Sequence, residues 1–177
     1  MDEATVQTVR DRYPWAGWAV WDEAFPDAGC IEETPERLYE FIIDRRELLT
    51  PDIVLTGLNR ADDLPGPFAN FHSPNRLHYD HRLKEFIQDG GLDRLAGAYM
   101  TDLVDTVDPD SKRVGISPAD AETFLEQLDL LDEPVVHVVC FGTKPFEGLV
   151  NRFDAEPTEG PHEILSAQTT ARGRPLH

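Results

Sequence analysis

Apolar residues recur at helical spacing in some segments of this chain and crowd into short unbroken runs in others. Residues 2–12 predict a short helix. The stretch TPERLYEFIIDRRELL predicts another: Thr34 can cap it, Pro35 suits the first turn, and Leu38, Phe41, Ile42 and Leu49 form one apolar stripe. YDHRLKEFIQDGGL reads as a helix stopped by Gly90 and Gly91. SPADAETFLEQLDLL is the clearest helix of all. Ser117 caps it, Pro118 opens it, and Asp120 and Glu122 face the positive end of its dipole. The runs PDIVLTGL, GAYMTDLVD and PVVHVVCFG read as buried strands, and TKPFEGLVNRF opens a helix directly after Gly142. The tail EPTEGPHEILSAQTTARGRPLH holds one expected strand, HEILSAQ, and is otherwise expected to be irregular.

Strands that alternate with helices and read as continuous apolar runs predict an α/β fold. The expectation is a three-layer α/β/α sandwich with a short, mainly parallel sheet covered on both faces. The chain is expected to be a single domain spanning residues 1–177, with residues 1–33 as an N-terminal arm and residues 154–177 as an irregular tail. In such sheets ligands bind beyond the C-terminal ends of the strands. That directs attention to the loops after Leu58, Leu103 and Phe141, and above all to the loop NRADDLPGPFANFHSP.

Charge narrows the partner classes. The net charge is -18, and of the 16 basic residues only Lys84, Lys112 and Lys144 are lysines. A carboxylate-rich, lysine-poor surface suits a salt-rich cytoplasm, where the Debye length falls to about 3 Å at 1 M salt. A halophilic source is therefore expected, an acidic protein of a GC-rich bacterium being the other reading, and the chain is expected to be cytoplasmic. The same charge opposes tight nonspecific DNA binding, which depends on basic groups displacing counterions. No apolar run is long enough to span a membrane, and the acidic start MDEATVQTVR is unlike a signal peptide. Cys30 and Cys140 are far apart and form no CxxC pair, so a zinc ribbon or iron–sulfur cluster is not expected.

Several groups invite a chemical reading beside a structural one. Trp15, Trp18 and Trp21 are expected to anchor the N-terminal arm, the other reading being a base-stacking surface. His72, His78 and His81 cluster with Asp80, but their spacing matches no metal motif, and neither metal nor cofactor is expected. Gly142, Thr143 and Lys144 begin a helix and form a candidate phosphate site, or simply a packed helix start. Asn59 can cap its own turn with its side-chain oxygen.

PDIVLTGLN, then GPFANF, then GAYMTDLV, then VVHVVCFGTKPFEGL resembles the uracil-DNA glycosylase superfamily over about residues 48–153. The likeness lies in order, spacing and strand-end chemistry, nearest to the mismatch-specific and single-strand-selective branches. It implies a DNA-repair hydrolase that cleaves the N-glycosidic bond of a damaged or modified base flipped into a pocket. Gly57-Leu58-Asn59 matches the family's first motif, although Arg60-Ala61 follows where the family has Pro-Gly. The resemblance implies that Gly57 lines the base site and that Asn59 positions the attacking water, with His72 as a further catalytic candidate. Phe71, or else Phe68, would stack on the base, unless these rings merely close the loop. Asp102 stands where the family reads the base edge with an asparagine. An ionised carboxylate only accepts hydrogen bonds, so it would prefer an edge with two donors, as in guanine, over uracil. The family's last motif, His-Pro-Ser or Asn-Pro-Ser, is not found: His162 precedes Glu163, and His177 is the last residue. The alternative is a non-catalytic protein on the same fold that binds a nucleotide or nucleic acid. The expected partner in either case is DNA or a nucleotide.

Overall fold

Three helices, over residues 3–12, 79–88 and 118–131, begin at a side chain that caps them. In the computed structural model, which describes residues 1–21, 35–73, 78–134, 136–153, 155–159, 165–171 and 174–177, the described residues form five α-helices. These are α1 (Glu3–Arg12), α2 (Pro35–Asp44), α3 (Tyr79–Gln88), α4 (Pro118–Leu131) and α5 (Thr143–Arg152). The strands are β1 (Gly17–Trp18), β2 (Thr50–Gly57), β3 (Ala98–Asp102), β4 (His137–Cys140), β5 (Glu156–Glu159), β6 (Leu165–Ala171) and β7 (Arg174–Leu176). Thr34, Cys30 and His162 lie outside the described residues.

The fold is α/β, with a small mixed sheet in the order β1-β3-β2-β4 and a three-stranded sheet in the order β5-β6-β7. The sheet is mixed in strand direction. β2 pairs with β4 in parallel, but β1 pairs with β3 antiparallel. β1 is only two residues long, too short to show any period in the sequence. β4 is not covered on both faces, since Val139 is 41% exposed. The tail also differs from its expected irregularity. β5 and β7 both pair antiparallel with β6. Their sequences, EPTE and RPL, carry few apolar residues, so backbone pairing rather than an apolar period defines them. Among the described residues no helix is long and apolar enough to cross a membrane.

The chain divides into two compact units, Met1–Pro51 with Asp63–Thr101 and Asp52–Asp62 with Asp102–His177. In the first, Asp2 caps α1 by accepting from the Thr5 N–H at 2.7 Å, and Val6 and Val9 turn inward. Trp15, Trp18 and Trp21 are all buried, Trp18 completely, with its ring edge-on to Tyr99 at 5.0 Å. An aromatic ring of this size removes about 150–250 Å² from water. The tryptophans are thus core residues of this unit. Gly97 joins the elements: its N–H donates to Ala19 O and its carbonyl accepts from Thr50 N. Its φ is +80°, and a Cβ there would sit 1.9 Å from Leu48 O, so only glycine fits.

In the second unit, the parallel register sets Ile53 opposite His137 and Thr56 opposite Cys140. α4 buries Ala121, Phe124, Leu125 and Leu128 at helical spacing. Its start is a complete capping box, in which Ser117 and Asp120 exchange hydrogen bonds. Its end is held by Asp132 at φ +55°, a conformation that favours glycine.

The start of α4 generates a prediction. Ser117→Ala removes the cap and lowers stability by about 1 kcal/mol. The urea midpoint of the variant should fall below that of the parent; an unchanged midpoint would refute this account of the helix start.

Candidate functional site

The C-terminal ends of β2 and β3 belong to the second unit, and hydrogen bonds draw their loops together. Leu103 N donates to Gly57 O at 3.0 Å, Val104 N to Leu58 O at 2.9 Å, and Asp108 N to Arg60 O at 3.0 Å. Asn59 stands between these loops. Its Nδ2 donates to Arg60 O at 2.8 Å, to Asp108 O at 2.8 Å and, less closely, to Thr106 O at 3.3 Å. Three carbonyls around one nitrogen fix the orientation of the amide, because an oxygen in that place would face only other acceptors. The side-chain oxygen, Oδ1, accepts no hydrogen bond among the described residues. Asn59 therefore combines a structural clamp with one outward acceptor.

The surroundings are strongly polar. Arg60 pairs with Asp105, and its Nε is buried without a hydrogen-bond partner among the described residues. Asp108 accepts from the Asp110 N–H at 2.8 Å and from Arg113 at 2.7 Å, and these contacts hold its carboxyl below the usual range. Asp102, the last residue of β3, is 3% exposed. Thr56 Oγ1 donates to the Gly57 carbonyl at 3.2 Å. The nominated phosphate group is partly committed elsewhere. Gly142 turns the chain at φ +108° and Thr143 starts α5, but the Lys144 ammonium donates to Ser111 O at 2.8 Å and Lys112 O at 3.3 Å. Lys144 thereby closes the carbonyl end of the 111–113 turn.

Phe68, Phe71 and His72 belong to the first unit. Phe68 is fully buried, its ring stacked on Tyr39 at 6.2 Å. Phe71 is half-buried. Both have positive φ, 65° and 63°, which is uncommon for bulky residues and costs roughly 1–2 kcal/mol each. Buried Asn70 holds this loop: its Nδ2 donates to Trp15 O at 2.8 Å, and its Oδ1 accepts from Phe71 N at 3.2 Å. Gly17 makes room for it, since a Cβ there would approach the Asn70 and Phe68 carbonyls at 3.3 Å. His72 is 1% exposed, with Nδ1 at 2.8 Å from Asn70 O and Nε2 at 3.1 Å from Val20 O. Burial holds its pKa below the ordinary histidine value, while the two carbonyls and Asp80 act the other way. With both ring nitrogens on backbone carbonyls, His72 is placed as a loop support rather than as a base.

His78 Nδ1 lies 2.8 Å from Asp80 Oδ1, and His81 Nε2 lies 3.4 Å from Glu85 Oε1. Among the described residues no group of three or more His, Cys, Asp or Glu side chains could hold a metal ion. Sequence reasoning missed Asn70 and the Arg60–Asp105 pair. The asparagine had a signal, lying between two aromatic residues in a Gly-Pro loop. The ion pair had none, since its members are 45 residues apart. Comparison with protein-family models, with curated proteins and with solved structures finds no match.

Removing the amide of Asn59 should loosen both loops. Asn59→Ala is expected to lower stability by about 1–3 kcal/mol, the net worth of its hydrogen bonds to the half-buried Arg60 and Asp108 carbonyls. Asn59→Asp should do worse, because it sets carboxylate oxygens against the same carbonyls. Denaturant melts and hydrogen exchange at the Asp108 amide measure both effects; an aspartate variant as stable as the parent would exclude the clamp. A separate expectation concerns Cys140, whose thiol burial pushes up to about 11. Its alkylation, followed by peptide mass spectrometry, should be slow at pH 8 and accelerate only as the pH nears that value.

Proposed function

We propose that the loops after β2 and β3 bind a planar, hydrogen-bonding heterocycle of the nucleobase or nucleotide class without hydrolysing it. The observation that carries this reading is the clamped amide of Asn59, with its nitrogen committed to backbone carbonyls and its Oδ1 left as a fixed acceptor. The position supports it as well, because ligands of α/β proteins gather beyond the C-terminal ends of parallel strands, and β2 runs parallel to β4. A rigid acceptor selects a ligand edge that donates. Asp102, as an acid at the end of the neighbouring run, favours two-donor edges such as that of guanine over uracil. The finer fold assignment, a three-layer α/β/α sandwich of the uracil-DNA glycosylase kind, rests on the residue resemblance and belongs to the same proposal.

A second reading is a DNA glycosylase acting on a modified base. The outward Oδ1 of Asn59 favours it, since that atom could align a water. An amide does not take the water's proton, so this chemistry requires the base to leave early, through an oxocarbenium-like state. The other residue nominated for chemistry, His72, has both ring nitrogens on carbonyls. That balance supports binding over hydrolysis, and the net charge of -18 favours a nucleotide or a single flipped base over a long duplex.

The test is calorimetric titration with guanosine, xanthosine and uridine nucleotides, alongside single-turnover cleavage of oligonucleotides carrying uracil, hypoxanthine or xanthine, in low and high salt. Binding of guanine-type ligands without cleavage product is expected. Asp102→Asn, checked for retained folding, should weaken the guanine type relative to uracil by roughly tenfold, the equivalent of one good hydrogen bond. Product that disappears in a folded Asn59 variant would establish the glycosylase instead. Absence of binding by all of these ligands would end the proposal.

A further inference from the structure

His72 makes two contacts that one neutral imidazole cannot make together. Nδ1 faces Asn70 O at 2.8 Å and Nε2 faces Val20 O at 3.1 Å. Carbonyl oxygens only accept, and a neutral ring has one N–H to donate. Only the imidazolium donates to both. We propose that His72 is a proton-operated latch: its charged ring ties the Val20 segment to the loop carrying Phe68 and Phe71, and its neutral ring lets that tie go.

The shorter contact lies within the ring's own loop, two residues back, so the neutral ring keeps its proton on Nδ1 for Asn70. The Nε2 lone pair then points at the Val20 oxygen. The adjoining Trp21 acts in the same sense. Its ring lies 5.4 Å from the imidazole at an interplanar angle of 36°, and an aromatic face attracts a cation. Val20 and Trp21 therefore both prefer the charged ring.

The sign follows from linkage between two states of the same buried ring, one with the Val20 carbonyl docked and one with it withdrawn. The cost of burying the imidazolium is common to both and cancels. The docked carbonyl stabilises only the protonated ring, so docking raises proton affinity and the proton favours docking. Among the described residues the charged groups facing the ring come from α3: Asp80 favours the cation and Lys84 opposes it. Asp80 is itself held by the Ser73 N–H at 3.0 Å and by His78 Nδ1 at 2.8 Å. Burial sets the titration below the ordinary value of 6.5, so the latch closes in mildly acid solution and opens toward neutral pH. This inference goes beyond ligand binding and does not depend on it.

The test uses the full chain labelled with ¹⁵N, with histidine ring spectra and amide exchange recorded from pH 7.5 to 4.5 while circular dichroism confirms the fold. The His72 nitrogens should pass from one protonated site to two, with a midpoint below 6.5. The protection factor of the Val20 amide, corrected for intrinsic exchange, should rise severalfold across the same midpoint. In His72→Gln that protection should lose its pH dependence. If this variant does not fold, the parent spectra decide alone. A single neutral tautomer across the whole range, or a ring that protonates with no change in Val20 protection, would overturn the latch.

Discussion

Backbone carbonyls at the ends of strands and in tight loops must find donors, and here a few polar side chains supply them. Asn59 serves three carbonyls of the β2 and β3 loops, Lys144 serves two of the 111–113 turn, and His72 faces two more in the first unit. Each such hydrogen bond contributes about 0.5–1.5 kcal/mol net, and more where the carbonyl is buried, as around His72. Each of these side chains thus holds its loop in one place, and whatever chemistry the loops perform starts from that placement.

This constraint changes how reactive-looking residues are understood. An asparagine, a histidine and a lysine beside Gly-rich turns have the inventory of an active site. Once their hydrogen bonds are counted, most of that capacity is already used on the backbone. What remains is selective. Asn59 retains Oδ1 as an acceptor. Residual capacity of this kind suits recognition better than proton transfer, since an amide does not titrate in the neutral range.

The first unit adds a different lesson. Two phenylalanines with positive φ in one short loop store conformational strain, and they persist because Asn70, Gly17 and His72 over-determine the loop around them. One of those supports changes its charge with pH. A loop held partly by strain-opposing contacts is sensitive to losing one of them, which links a single protonation to the position of a backbone segment.

Local signals in the sequence determined most of the helices. The capping box at Ser117, the glycines after Gln88 and the turn at Gly142 are short-range chemistry, and α3, α4 and α5 begin or end beside them. β2 was equally legible, because a buried strand needs a continuous apolar run. The antiparallel β1–β3 pairing and the polar strands of the tail were not, since backbone pairing depends on partners distant along the chain. The candidate site divides in the same way. Residue type and place after a strand made Asn59 a candidate from sequence alone. Which of its two polar ends is engaged, that Phe68 is sealed under Tyr39, and that Arg60 meets Asp105 were decided only by tertiary structure. The physical reason is that a side chain's hydrogen-bonding capacity is written in its sequence, while the acceptors that use it up arrive from elsewhere in the fold.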